Sequence, residues 1–153
     1  MKIVIGVVMA LAVTACGKSE EGPPRTLREL DSSIAAVQET PSELKIVLNA
    51  QAVLRTKDVM QNSSMRAASI SEKMLRYFPD VTQEWVSYVV IANLEDKYGK
   101  TSSAPILEIR FSTAELRKVD FKNIYHKKLL DLAAPVKYLT AAGSEVVGEW
   151  CAD

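Results

Sequence analysis

Between residues 104 and 112 the chain reads APILEIRFS. Leu107, Ile109 and Phe111 alternate with Glu108 and Arg110, a period of two that buries one face of a strand and wets the other. Such a strand needs a neighbour to satisfy its backbone N–H and C=O groups. Residues 85–91, WVSYVVI, are dense in the β-branched and aromatic side chains that fit a pleated surface. Between the two runs lies DKYGK, where Gly99 can take a positive φ. The pattern predicts a β-hairpin with strands near 84–95 and 104–112. A helix through residue 97, opened by Asp80 and Gln83, is the competing reading. The alternation in the second strand favours the hairpin, because that strand must be paired.

Upstream, the spacing predicts helices. Leu27, Leu30, Ile34 and Val37 recur at intervals that put them on one helical face, and Thr26 with Glu29 forms a capping box. An amphipathic helix over 26–39 follows, whose stripe packs on its own domain or on a partner. Thr40, Pro41 and Glu43 repeat the start signal as N-cap, first position and third position. For 44–54 both periods fit: Val47, Ala50 and Leu54 suit a helix, while Ile46, Val47 and Leu48 suit a strand. The caps favour a helix to about Gln61, broken or kinked at Asn62–Ser64. A further helix follows Ser69 and Glu72, with Ile70, Met74 and Tyr77 or Phe78 on its face, and ends before Pro79.

After the hairpin, Ser112 and Glu115 open a brief helical turn. FKNIYHKKLLDLAA, 121–134, predicts a helix with Phe121, Ile124, Tyr125, Leu129 and Leu132 inward, ended by Pro135. VKYL is a short extended piece, and a last helical turn follows Gly143 and Ser144. The expected fold class is α+β, with N-terminal helices packed on one face of a small antiparallel sheet and a central β-hairpin. It forms a single domain over 26–153.

The first residues belong to a different kind of segment. Lys2 precedes an uncharged apolar run from Ile3 to Val13, too short to cross a bilayer, which needs roughly 20 residues. Val13, Thr14 and Ala15 then lead to Cys16. These residues resemble the lipobox of bacterial lipoproteins. The resemblance implies cleavage after Ala15, transfer of diacylglycerol to the Cys16 sulfur, and acylation of the new amine, with palmitate among the attached chains. Two or three acyl chains hold a protein durably, at about 0.8 kcal/mol per buried CH₂. Gly17 stands where Asp marks inner-membrane retention in enteric bacteria, so the resemblance favours the outer membrane, facing the periplasm. Residues 16–25 then form the lipidated cysteine and a polar tether, whose nine residues after Cys16 reach roughly 30 Å. The span from RYFPDV through DKYGK to FSTAELRKVDF also resembles a hairpin of small uncharacterised bacterial lipoproteins, and that likeness carries no activity.

The chain has 19 basic and 19 acidic residues. That balance offers nothing to a nucleic-acid partner. With Cys16 lipidated, Cys151 is the one remaining thiol, either buried beside Trp150 or paired between chains. One thiol and one histidine build no metal framework. His126 sits in IYHKK, where Lys127 and Lys128 disfavour further positive charge, and no Gly-x-Ser-x-Gly turn occurs. Glu84, Glu95, Asp96 and Glu108 fall on or near the hairpin without a pattern that pairs two of them in a cleft. Glycine-rich phosphate loops and calcium loops are missing from the sequence. Arg117, Lys118, Lys122, Lys127 and Lys128 form a basic cluster that reads as a solvated face or a contact for anionic headgroups. Trp85, Tyr88 and Tyr98 read as core or as a binding surface.

The expectation is a membrane-anchored envelope lipoprotein with a non-catalytic binding, assembly or accessory role, needing no cofactor and working with a protein partner. Its candidate partner surface is Leu27, Leu30, Ile34, Val37 and Tyr98. The alternatives are a small periplasmic enzyme acting on wall or lipid, and a small-ligand-binding module.

Overall fold

A computed structural model describes residues 22–50, 56–95, 98–144 and 147. The expected signal segment, Cys16, Asp96 and Cys151 lie outside the described residues, as do the side chains of Thr56, Lys57 and His126. The strands are β1 (Ile34–Glu39), β2 (Glu43–Asn49), β3 (Trp85–Glu95), β4 (Thr101–Ser112) and β5 (Lys137–Tyr138). The helices are α1 (Thr56–Tyr77), α2 (Thr113–Leu116) and α3 (His126–Leu130), with a 3₁₀ turn at Leu27–Leu30. All five strands form one sheet in chain order. β2 and β3 run parallel, and every other neighbouring pair is antiparallel.

This architecture overturns the expected fold class. The sheet is mixed, and among the described residues no N-terminal helices pack on it. Two local signals misled. Thr40-Pro41-Ser42-Glu43 looks like a capping box, yet it closes the β1–β2 turn. The Thr40 hydroxyl accepts the Glu43 N–H at 3.0 Å, and the Thr40 N–H donates to the Glu43 carbonyl at 2.8 Å. Thr and Ser side chains offer the backbone such partners outside helices as readily as at helix starts. Beyond the turn, Leu44, Ile46 and Leu48 are buried while Glu43, Lys45 and Asn49 are not. The second signal is the Leu27–Val37 stripe. It is interrupted by Asp31, whose Oδ1 accepts both the backbone N–H (2.8 Å) and the hydroxyl (2.6 Å) of Ser33. That local turn ends the helical bonding after one 3₁₀ turn, and the chain leaves as a strand.

The predicted break at Asn62–Ser64 lies inside α1. The Ser64 hydroxyl donates back to the Gln61 carbonyl at 2.8 Å, which lets a serine sit in a helix without an unmet donor. α1 buries Met60, Ser63, Ser64, Ala67, Ile70, Ser71 and Met74, a stripe at helical spacing. It makes the crossover that a parallel pair requires. The cross-strand rows of the inner face are Leu44–Val86–Phe111, Ile46–Tyr88–Ile109 and Leu48–Val90–Leu107, all buried.

The hairpin is present as β3 and β4, with Gly99 at φ 77° in its turn, although β4 begins at Thr101. The helix expected over 121–134 is reduced to α3. Asp120 takes the Lys122 N–H at 3.2 Å and the Asn123 side-chain amide at 2.6 Å, so 120–123 turns instead. Leu129 is buried, while Tyr125 and Leu132 are exposed. Gly143 sits so close to the Ile106 carbonyl that a Cβ there would overlap it.

Tyr88 is the largest side chain fully enclosed in the core, edge-on to Phe111 at 6.1 Å between centroids. Its hydroxyl shares a 2.6 Å hydrogen bond with the buried Ser71 hydroxyl on α1. Burial pushes the phenol well above its ordinary range, against the opposing effect of Ser71, so Tyr88 stays protonated. This polar pair fixes the height and rotation of α1 over the sheet. Ser71→Ala and Tyr88→Phe each leave one buried hydroxyl unmet, at about 1–3 kcal/mol. Urea unfolding of the double mutant is expected to show a loss smaller than the sum of the two. Additive losses would mean that the hydroxyls do not bond.

Candidate functional site

A concave surface with an apolar wall lies beside β1. It is bounded by the 3₁₀ turn with the residues before it, by β1 with Leu44 of β2, and by the C-terminal end of α1 with the loop that follows. The groove encloses about 720 Å³, with Leu27, Val37, Phe78 and Val81 among its apolar walls. Arg25 and Arg28 border it, as do the carboxylates of Glu39 and Asp80. An adjoining recess of about 850 Å³ shares Arg25, Arg28 and Tyr77, and adds Lys73 and residues 22–24. Residues 22–25 therefore run along the wall of the same concave region.

Sequence-local chemistry builds each wall. Pro79 ends α1 and turns the chain, and the exposed guanidinium of Arg117 holds that turn. Its Nη2 donates to the carbonyls of Pro79 and Val81, both at 2.9 Å. The 3₁₀ turn is fixed to α1 by two contacts. Lys73 donates to the Leu30 carbonyl at 2.9 Å, and Arg66 Nη1 meets Asp31 Oδ1 at 2.8 Å. The Arg25 N–H and the Thr26 hydroxyl both donate to the Glu29 carboxylate and hold its pKa below the ordinary range.

The predicted partner surface divides. Leu27 and Val37 line the groove together. Leu30 and Ile34 do not reach it, being 3% and 4% exposed within the core. The helical stripe that would have aligned all four does not form. Tyr98 is 76% exposed in the β3–β4 turn and is not among the lining residues. Sequence reasoning missed Arg25, Arg28, Tyr77 and Phe78. The aromatic pair before Pro79 was visible, but only as the end of a helix.

The remaining candidates separate as well. Glu84 and Glu95 are exposed, and Glu108 lies on the opposite face, level with Lys137. Arg117 is occupied by the loop carbonyls, and Lys118 pairs with Glu115 at 2.6 Å. Among the described residues, no group of three or more His, Cys, Asp or Glu stands where it could hold a metal ion. No described helix is long and apolar enough to cross a membrane. Compared with known proteins, the chain matches no family model, no curated protein and no solved structure.

Asp31 ties the groove's outer wall to α1, and its protonation follows from its contacts. Burial alone would raise its pKa, but the Ser33 hydroxyl and N–H, with Arg66 and Lys73, outweigh that and lower it. A carboxylate with a lowered folded-state pKa contributes stability above its unfolded value, about 3.9, and loses it as pH falls through the folded value. Unfolding free energy is therefore expected to decline below about pH 4. Asp31→Asn is expected to cost about 1 kcal/mol at pH 7 and to flatten that decline. An unchanged acid slope in the variant, measured by urea titration at several pH values, would contradict this role.

Proposed function

We propose that this chain is a lipid-anchored protein of the bacterial envelope, and that its domain holds an extended segment of a partner protein in the groove beside β1. The role is one of binding or assembly rather than catalysis. The observation that carries the reading is positional: residues 22–25 run along the concave region that opens into the groove. Five residues, 17–21, separate Gly22 from Cys16, and the six steps between them reach at most roughly 20 Å. A lipidated Cys16 would hold this end of the domain near the bilayer. A partner entering the groove would be met at the membrane surface.

The edge strand supports the mode of binding. β1 is paired on one side by β2 and, among the described residues, ends the sheet on the other. An unpaired strand edge presents N–H and C=O groups that an added strand can use, and neighbouring pockets then select its side chains. Leu27, Val37, Phe78 and Val81 supply such apolar pockets. The outer membrane, facing the periplasm, is the proposed location, resting on Gly17 after the cysteine.

Two measurements check this. Mass spectrometry of the protein extracted from membranes is expected to find a chain that begins at Cys16 and carries acyl groups, and Cys16→Ala is expected to abolish both. Photo-crosslinkers placed at Val37 and Tyr77 in intact cells are expected to trap the same partner, while one at Glu115 does not. An unacylated chain would remove the anchor, and equal labelling at all three positions would remove the groove.

A further inference from the structure

The sheet face opposite α1 carries a second organised cluster, which the groove does not use. Glu43 lies beside Trp85 across β2 and β3, while Lys45, Ser87 and Arg110 form one row across β2, β3 and β4. The buried Ser87 hydroxyl donates to Glu43 Oε1 at 2.5 Å. The Arg110 guanidinium lies 4.3 Å over the Trp85 ring, with its Nε 3.4 Å from the same Glu43 oxygen.

The geometry differs from that of a simple surface ion pair. There, the planar fork of an arginine grips both oxygens of its carboxylate. Here Glu43 Oε1 is already taken by Ser87, and Arg110 Nε makes no hydrogen bond although it is buried. Among the described residues, no side-chain hydrogen bond from Arg110 is formed at all. An arginine has five N–H donors. Its side chain is nonetheless 31% exposed, and because Nε is enclosed that exposure lies elsewhere on the side chain. The Trp85 ring lies against the guanidinium by cation–π attraction, and Glu43 lies close to Nε without a hydrogen bond. The result is a guanidinium stacked on one side whose outer donors have no protein partner among the described residues.

Lys45 stands two strands away in the same row, about 10 Å by strand spacing, and has no ion pair among the described residues. Two cations thus face one carboxylate already engaged from within, which leaves the row net positive. Glu108, further along β4, is level with Lys137 on β5. The surface is a sheet face, whereas small-molecule sites are concave. Charge and spacing together point to a partner chain that carries several carboxylates, since the two cations lie about 10 Å apart, on β2 and β4.

From this geometry we infer that the sheet face opposite α1 docks an acidic segment of a protein partner. The Arg110 fork takes one carboxylate through two parallel N–H···O bonds, and Lys45 takes a second. The inference stands apart from the anchored-groove reading, since it needs neither Cys16 nor β1.

The test is a titration of the mature chain, at low salt, with acetylated hexaglutamate. Hexaglutamine, succinate and inorganic phosphate form the other arms. The readout is NMR of the Arg110 Nε–H and the Trp85 indole N–H. Hexaglutamate is expected to shift both resonances saturably, with binding that weakens as salt rises. Arg110→Lys keeps the charge but loses the fork and is expected to weaken binding about tenfold. Lys45→Gln is expected to weaken it several-fold. If Arg110→Lys fails to fold by circular dichroism, Lys45→Gln carries the comparison alone. No saturable shift, equal binding of hexaglutamine, or unchanged affinity in the folded variants would overturn the inference. Succinate or phosphate binding as tightly as the peptide would also overturn it, by showing a site for small anions only.

Discussion

Strands β2 and β3 lie side by side and point the same way, and most of the architecture follows from that. A parallel pair cannot be joined by a tight turn, so the connection must travel the length of the sheet and return. α1 makes that return and covers one face as it does so. Leu44 against Val86, Ile46 against Tyr88 and Leu48 against Val90 then form the centre of the core. Each fully buried aliphatic side chain of this size contributes about 1.5–3 kcal/mol. β1 and β4 add by antiparallel pairing on either side, and only then do the outer features acquire positions. The groove exists because β1 is an edge and α1 ends beside it. The Arg110 cluster exists because β2, β3 and β4 bring Glu43, Ser87 and Arg110 level on the face that α1 leaves uncovered.

The legible part of the fold was the part whose period was unmixed. Leu107, Ile109 and Phe111 alternate with charged residues, and Gly99 marks the turn, so the hairpin could be read without its surroundings. β2 was ambiguous because Val47 breaks the polar alternation and because Thr40 to Glu43 forms a signal shared by helix starts and tight turns. Only the parallel contact with β3 decides between them, and a contact across some 40 residues of chain leaves no local trace. The Leu27–Val37 stripe failed for a related reason. Leu30 and Ile34 are buried as a helix would bury them, but by a 3₁₀ turn and a strand that Asp31 and Ser33 separate. At Asn62–Ser64 the error ran the other way: Ser64 bonds back to the Gln61 carbonyl, and Ser63 and Ser64 are buried on the inward stripe of α1.

The candidate sites were less legible than the fold. Leu27 and Val37 were identified, but for a helical face that does not form. Phe78 and Val81 become a wall only because Arg117, far along the chain, holds the loop between them by two carbonyls. Arg110 was read as the wet side of a strand. Its posture over Trp85 and its loose relation to Glu43 depend on register across three strands, which the sequence does not spell out. The proposed anchor is the reverse case, written wholly in the first sixteen residues. Together these features give the domain its two proposed binding faces, the groove beside β1 and the cationic sheet face.

The parallel pairing is tested most directly by backbone NMR of residues 40–61. Strand-type Cα and Cβ shifts over 43–49 are predicted, with slowly exchanging amides and cross-strand contacts placing Ile46 beside Tyr88. Helical shifts running unbroken from Pro41 to Gln61, with no contacts between 44–48 and 86–90, would contradict it. Both the groove and the Arg110 row would then lose the framework that positions them.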